Sequence, residues 1–264
     1  MGDDLFSMDN KQALSDPDPV RRAQNTSKLP LPKRFYSDVA IVERDGAFGI
    51  ALDGRLVKTP ARQGLLLPSR AAAALVGDEF AAQEKDIDPA RMPATRLANT
   101  AIDGIVNDPQ AVLEDVLRFA ASDMLCYRAS TPERLVERQT RLWDPLVDWA
   151  ATALGARFVL AEGVMHVEQP RETLGAFSAH LGSFSDPFAI AALHVMTTLT
   201  GSAILALAVA RGALTGEEAW TLAHVEEDWT AEQWGQDAEA CQRRAARERE
   251  MTAAVRMLEA VLPR

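Results

Sequence analysis

The stretch over residues 187–210, PFAIAALHVMTTLTGSAILALAVA, contains no Asp, Glu, Lys or Arg. It is long enough to cross a bilayer, but His194, Gly201, Ser202 and several threonines lie in its middle. Such polar side chains are costly in lipid, whereas a helix that is apolar on nearly all sides can fill the centre of a helical bundle. We therefore predict one long buried helix and no membrane insertion, with a membrane span as the alternative.

Residues 34–67 predict a small β-rich region. Short β-branched runs, YSDVAIVE, AFGIAL and RLVKT, are separated by the pairs Asp45-Gly46 and Asp53-Gly54. A DG pair between short apolar runs is a strong hairpin signal, because type I′ turns need positive φ. The run GLLL before Pro68 is a candidate fourth strand.

After Ser69, which is a candidate N-cap, the sequence pattern becomes typical of helices. Further helices are indicated by Thr131 as an N-cap before Pro132, by the segment 187–210, and by one long helix that runs from residue 215 toward the C-terminus. Two short strands are predicted around Glu162-Gly163. The fold class is α+β, with an N-terminal arm over residues 1–32, a small β-rich domain over 33–70 and a larger, mostly α-helical domain over 71–264.

The charge balance limits the classes of partner. The net charge is −10 and the pI is about 5.0, so nucleic acid and anionic lipid surfaces, which attract basic proteins, are poor partners. Only two cysteines are present, Cys126 and Cys241, which fits a reducing compartment. The N-terminal residues have no apolar signal region and several early aspartates. These features predict the bacterial cytoplasm, with the mitochondrial matrix as the alternative.

No motif defines a reaction class. The sequence has no phosphate-binding glycine loop, no paired cysteine motif and no nucleophile elbow. His224 and Glu227 have the spacing of two ligands on one helix, but a bundle metal site needs more carboxylate and histidine partners. Cys126 fits a buried thiol better than a nucleophile. We therefore predict no metal, no cofactor and no catalytic residue.

The most unusual segment is HVEEDWTAEQWGQDAEA, residues 224–240, which reads as a helix. On a helical wheel Glu226 lies within or beside the apolar face, near Trp229, Thr230 and Gln233. A carboxylate there is paired internally, raised in pKa, or left in a groove for a partner. The two tryptophans of the segment are either core residues or an interaction surface. The alternative function is a soluble helical enzyme that uses Glu226 and His224, with Asp123, as acid/base groups.

From Lys33 onward the chain resembles one family. The shared blocks occur in order over about 200 residues, and they are KRFY at 33–36, LDGR at 52–55, KTP at 58–60, LP at 67–68, MPATRLANTAID at 92–103, SDMLCYR at 122–128, WDP at 143–145 and EEDWTAEQWG at 226–235. They are similar to the ATP synthase F1 complex assembly factor 2 family, which are chaperones of the alpha subunit of the F-type ATP synthase. Glu79-Phe80 replaces the family's acid-tryptophan pair, and Ala94 replaces a leucine.

The resemblance implies a β-rich domain followed by a helical one, and binding without catalysis or cofactor. It implies binding to the free alpha subunit and shielding of the surface that later meets the beta subunit. Because a chaperone that caps an interface needs no symmetry of its own, we predict a monomer. The functionally important acid of the family falls on Glu226, with Glu227 as the alternate. The candidate partner-binding residues are Glu226, Glu227, Trp229, Gln233 and Trp234.

Overall fold

The computed structural model describes residues 31–163 and 167–262. The predicted arm over residues 1–32 therefore lies almost entirely outside the described residues. The chain divides into two compact units, one that ends at Asp103 and one that begins at Gly104. Strands dominate the start of the first unit and helices dominate the second, which confirms the α+β class.

The first unit is built on a four-stranded antiparallel sheet. Its strands are β1 (Val39–Arg44), β2 (Ala47–Leu52), β3 (Arg55–Leu56) and β4 (Leu66–Leu67). Strand β2 is central, because it pairs with β1 along its whole length and with β3 and β4 at its two ends.

Both predicted turns of the sheet are present. Asp45 and Gly46 have φ of 52° and 79°, and Asp53 and Gly54 have φ of 46° and 78°. Positive φ at both central residues is the signature of the type I′ turn. The candidate fourth strand is confirmed as β4.

Two helices pack in the same unit, α1 (Arg70–Ala81) and α2 (Pro93–Asp103). Ser69 caps α1 as predicted. The unit continues to Asp103, past the predicted boundary at residue 70, because α1 packs on β1 and β2 and α2 packs on α1. Strands and helices thus share one core there, although the residue pattern changes from strand-like to helix-like at Ser69.

The side chain of Glu79 explains part of the MPATRLANTAID block. Its carboxylate accepts hydrogen bonds from the backbone N–H groups of Ala94 and Thr95 at 2.7 and 2.8 Å. It also accepts from the Thr95 hydroxyl at 2.7 Å. Glu79 of α1 therefore caps the first turn of α2.

The second unit begins with helix α3 (Pro109–Ala121), strand β5 (Tyr127–Arg128), helix α4 (Glu133–Ala153), strand β6 (Ala161–Glu162) and helix α5 (Arg171–Leu181). The prediction of Thr131 as N-cap of α4 is wrong, because the cap is Pro132 and it makes no side-chain bond. Of the two strands predicted around Glu162-Gly163, β6 is present and pairs in parallel with β5. Residues 164–166, including His166, lie outside the described residues.

The apolar segment 187–210 forms two helices, α6 (Pro187–Thr200) and α7 (Ala203–Ala210). The prediction of one helix is wrong, because Gly201 ends α6 in the left-handed conformation with φ of 69°. The Ser202 hydroxyl then accepts from the Leu205 N–H and starts α7. Both helices are largely buried, and α6 packs against α3, α7 and the last helix. Among the helices in the described ranges, none has the length and apolar character to cross a membrane.

Three helices complete the unit, α8 (Gly216–Ala223), α9 (Val225–Trp234) and α10 (Ala238–Val261). The prediction of one continuous helix over this region is wrong. The backbone leaves the helical conformation at His224, with φ −111° and ψ 16°, and at Gly235, with φ 87°. A helical wheel therefore holds within α9 but cannot be continued across His224 or Gly235.

Candidate functional site

Helix α9 carries all five predicted partner-binding residues and is bound to the rest of the unit mainly by polar contacts. All of α9 is described, and Val225 is the one residue in it that is buried. Glu226 and Glu227 are exposed, so Glu226 lies beside the buried face of the helices and not within it. The break at His224 is the reason, because it takes α9 out of the register of α8.

Glu226 is exposed but held. Its Oε1 accepts a hydrogen bond of 2.5 Å from the side-chain amide of Gln139 on α4, which is 0% exposed. An arginine was the partner expected if Glu226 were paired internally, and the structure instead supplies a neutral amide. Within residues 31–163 and 167–262, Oε2 of Glu226 makes no hydrogen bond or ion pair.

Glu227 lies beside a buried histidine. The carboxylate is 3.7 Å from Nε2 of His224, whose ring is 4% exposed. Nδ1 of the ring is 2.7 Å from the carbonyl oxygen of Trp220, so it carries the proton and donates. Burial lowers the pKa of His224, which favours the neutral ring at physiological pH. Among the described residues, no group of three or more His, Cys, Asp and Glu side chains could hold a metal ion.

Trp229 is half-buried and faces α4. The guanidinium of Arg138 lies 5.2 Å from the centre of its ring, and the same guanidinium makes two bonds of 2.9 Å to the carboxylate of Glu232. This bidentate pair and cation–π contact fix the middle of α9 on α4. Trp229 thus supports the helix more than it offers surface to a partner.

Trp234 and Gln233 lie at the exposed end of α9. The side chain of Trp234 is 87% exposed, so the alternative that both tryptophans are core residues is wrong for this one. An indole of this size in water is unusual unless a partner covers it.

A cleft of about 530 Å³ opens beside the start of α9. Its walls combine aromatic, acidic and basic side chains, which include Tyr127, Trp143, Glu226, Glu227 and Arg247. Arg247 is already engaged, because it donates to the carbonyl oxygen of Leu199 at 2.7 Å. The Trp143 ring is 1% exposed and lies against the Arg128 guanidinium. The cleft therefore presents two carboxylates and the half-buried ring of Tyr127 to whatever enters it.

Two of the side chains considered for acid/base or nucleophilic chemistry, Asp123 and Cys126, are buried in the core. Asp123 is fully buried and accepts from the N–H groups of Leu125 and Ile204 at 3.1 and 2.9 Å. Burial raises its pKa to about 6. Burial also raises the pKa of Cys126 to about 12, so its thiol keeps its proton at neutral pH and is a poor nucleophile. Asp123 does not line the cleft that contains His224 and Glu226.

Two residues of the site could not be predicted from the sequence. Gln139 and Arg138 lie far from α9 in sequence, and nothing in their local pattern points to it. Trp143, by contrast, stands in the WDP block that carried the resemblance, and its indole N–H donates to the carbonyl oxygen of Leu222 at 2.9 Å.

Comparison with known proteins identifies relatives over most of the chain. The model of the ATP12 chaperone protein family matches residues 33–151. The mitochondrial protein atp12 of Schizosaccharomyces pombe is 25% identical over 224 residues, which are 80% of this chain and 77% of that protein.

Solved structures extend the match. Atu1473 of Agrobacterium tumefaciens, a protein proposed to be a chaperone, is 57% identical, with a TM-score of 0.85 over 96% of this chain and 95% of that one. Atp12 from Paracoccus denitrificans is 38% identical, with a TM-score of 0.80 over 88% of this chain and 99% of that one. A point mutant of the Paracoccus denitrificans protein is 39% identical, with a TM-score of 0.79 over 87% of this chain and 97% of that one. The chain belongs to the ATP12 chaperone family.

Proposed function

We propose that this chaperone of F1-ATPase assembly binds the free alpha subunit of ATP synthase, covers the surface that later meets the beta subunit, and releases it as F1 assembles. The function is binding and release, without a chemical step. Membership of the ATP12 family supports the chaperone role. The single observation that supports the binding site is the outward side of α9, where an 87% exposed indole lies on the same short helix as two exposed carboxylates.

We call Glu226, Glu227, Gln233 and Trp234 the α9 surface. A large aromatic ring and a few charges are the composition of an interface centre with a polar rim. An unpaired subunit of an alternating ring exposes a large sticky surface. Trp234 would bury its ring on that surface. Glu226 would give specificity by pairing with a cationic side chain of the correct client.

The free oxygen of Glu226 suits an arginine of the client. Its carboxylate is held on one side by the neutral amide of Gln139 and not by a cation. Glu227, next in the chain, adds a second negative charge at the cleft. Two carboxylates beside the ring of Tyr127 match a planar guanidinium, which pairs with carboxylates and stacks on rings.

A mixing experiment tests the proposal. The purified protein is added to isolated alpha subunit, or to isolated beta subunit, and light scattering and co-elution are followed. We expect suppressed aggregation and a one-to-one complex with alpha and neither effect with beta. Absence of a complex with alpha would overturn the proposal.

We assign the protein to the bacterial cytoplasm as a monomer, with the mitochondrial matrix as the alternative compartment. Relatives come from both bacteria and mitochondria. A chaperone that caps one client surface needs no symmetry of its own. Fractionation of the source cells and light scattering of the purified protein test the compartment and the monomeric state.

A further inference from the structure

Gln139 is a buried amide with both ends in use. Its Oε1 accepts from the backbone N–H of Ala129 at 2.8 Å, and its Nε2 donates to Glu226 at 2.5 Å. A backbone N–H can only donate, so the bond to Ala129 fixes which end of the amide is the oxygen. The NH₂ end must then point at the Glu226 carboxylate. Because Gln139 is 0% exposed, its side chain has little freedom to move away.

Helix α4 also fixes the register of the segment that carries Glu226. Trp143 bonds the carbonyl oxygen of Leu222, and Gln139, one helical turn back, bonds Glu226. Arg138 then bonds Glu232 farther along α9. These ties run antiparallel along α4, so Glu226 can occupy only one position against it.

A neutral donor at this place has a specific consequence. An arginine or lysine would hold Glu226 equally well but would neutralise its charge, and an apolar side chain would leave the carboxylate free to rotate. The amide restricts the carboxylate while its charge and its second oxygen stay available. Restricting a binding group before the partner arrives lowers the entropy lost on association.

We propose that Gln139 is a positioning residue, which holds Oε1 of Glu226 so that Oε2 is aimed at a guanidinium or ammonium group of the client. This inference rests on the proposed function. It adds a residue on another helix, remote in sequence, to the client-binding machinery. It also predicts that affinity depends on the donor at residue 139 and not only on the charge at 226.

The nearly isosteric variant Gln139→Glu is the sharpest test. It keeps the acceptor for Ala129 but places a second carboxyl group against Glu226. We expect the dissociation constant for the alpha subunit to rise about tenfold, as for a lost charged hydrogen bond. The ratio to wild type should grow from about pH 5 to about pH 8, because the new buried acid can donate to Glu226 only while it is protonated. Arg138, next to residue 139 on α4, is already held by Glu232, and Arg128, next to Ala129, is held by Asp144.

Gln169→Glu is the matched control. Gln169 is also a buried amide, 4% exposed, with both ends bonded to the backbone of Val159. This variant also buries a carboxyl group, and so has a similar cost in stability, but at a place away from α9. We expect it to lose stability but to retain affinity for alpha and to lack the pH-dependent ratio.

Exchange of α9 amide hydrogens in the free protein gives a readout that needs no client. We expect Gln139→Glu to speed this exchange about tenfold. The double variant Gln139→Glu with Glu226→Gln, which swaps amide and acid, should restore slow exchange but not affinity. Unchanged exchange in Gln139→Glu would overturn the positioning role. Changed exchange with wild-type affinity would overturn its part in client binding.

The two proposals fail separately. If wild-type protein does not bind alpha, the proposed function falls, and the exchange measurement still decides whether Gln139 holds Glu226. If wild type binds alpha and Gln139→Glu binds equally well at both pH values, the positioning role falls while the proposed function stands.

Discussion

Two acidic side chains of the helical unit show opposite uses of a carboxylate. Asp123 is fully buried, and its oxygens accept from the backbone N–H groups of Leu125, two residues on in the chain, and of Ile204, at the start of α7. Glu226 is exposed, and one of its oxygens is held by Gln139. The first can only stabilise the fold, whereas the second can also recognise a partner.

Reversing the charge of Glu226 should abolish client binding without unfolding the protein. Glu226→Lys would repel a client cation, and the exposed site gives the longer side chain room. We expect at least a hundredfold loss of affinity for alpha, since both a charged pair is lost and a repulsion is gained. Titration of alpha subunit with each variant, followed by co-elution, measures the loss.

Glu172→Lys is the control for that charge change. Glu172 is also an exposed carboxylate in the first turn of its helix, so the cost to the helix end is matched. We expect wild-type affinity from it. Equal affinity of Glu226→Lys and Glu172→Lys would contradict a role for Glu226.

The buried carboxyl of Asp123 should make stability depend on pH. Burial raises its pKa in the folded protein from the ordinary 3.8 to about 6, so the folded state binds the proton more tightly than the unfolded chain. Its contribution therefore favours folding at low pH and is lost as the pH rises through about 6. The loss amounts to at most about 3 kcal/mol, at 1.36 kcal/mol per unit of pKa.

Asp123→Asn isolates this contribution from the other titrating groups. Denaturant unfolding of wild type and variant at about pH 4 and about pH 7.5 measures the free energy of unfolding. We expect the advantage of wild type over the variant to shrink as the pH rises. A difference that stays constant with pH would mean that Asp123 titrates normally in the folded protein.

At the scale of elements, the breaks in the helices were harder to predict than the helices themselves. The Gly201-Ser202 and Gly235-Asp237 signals are visible in the sequence, since glycine ends helices and Ser or Asp starts them. They were outweighed by the helix-forming residues on both sides. The break at His224 has no such signal, because it depends on the ring bonding the carbonyl oxygen of Trp220.

Some elements were predictable because their signals are local. The DG turns specify the hairpins through φ alone, and Ser69 caps α1 through a contact three residues away. Gln139 belongs to the site through a contact between residues 87 apart in sequence. No local pattern can specify such a pair, which is why the sequence singled out Glu226 but not its partner.

Gly201 should be needed for the break between α6 and α7. It ends α6 with φ of 69°, where a side chain is strained, so Gly201→Ala should lower the free energy of unfolding by about 1–2 kcal/mol. A Cβ there would make only ordinary contacts with Met124, at 3.8 Å or more, so backbone strain is the expected cause.

Gly182→Ala is the control, because it replaces a helix-terminal glycine by alanine without placing a side chain at positive φ. Gly182 ends α5 with an ordinary φ of −63°, and a Cβ would meet backbone oxygens no closer than 3.5 Å. We expect thermal or denaturant unfolding to show little change or a small gain. Equal destabilisation by both variants would contradict the strain argument.

At the scale of the whole molecule, the match to the family model and the candidate site lie in different parts of the chain. The family model matches residues 33–151, which end before α9 begins. The structural matches cover 87–96% of the chain and so reach into its C-terminal part. The order of the sequence blocks could identify the family, but the exposure of Trp234 and the pose of Glu226 required the fold.

The net charge of −10 and the local charge of the α9 surface should both influence association with the client. Charges at the rim of an interface mainly set the association rate, and salt screens them beyond about 10 Å at 0.1 M. Burial of an indole mainly sets the dissociation rate and is not screened. Raising salt from about 0.05 to about 0.5 M should therefore slow association with alpha about tenfold and change dissociation little. Stopped-flow measurements using a label on the client give both rates.

The two charge-reversal variants separate the field of the molecule from the pair at Glu226. Each changes the net charge by the same amount, so a purely global field would slow association equally in both. If Glu226 meets a client cation, Glu226→Lys should be slower than Glu172→Lys at low salt, and the gap should narrow as salt screens the pair. Trp234→Ala should instead speed dissociation at every salt concentration. Identical salt profiles for the two charge variants would show that the acidic surface attracts the client without a specific contact at Glu226.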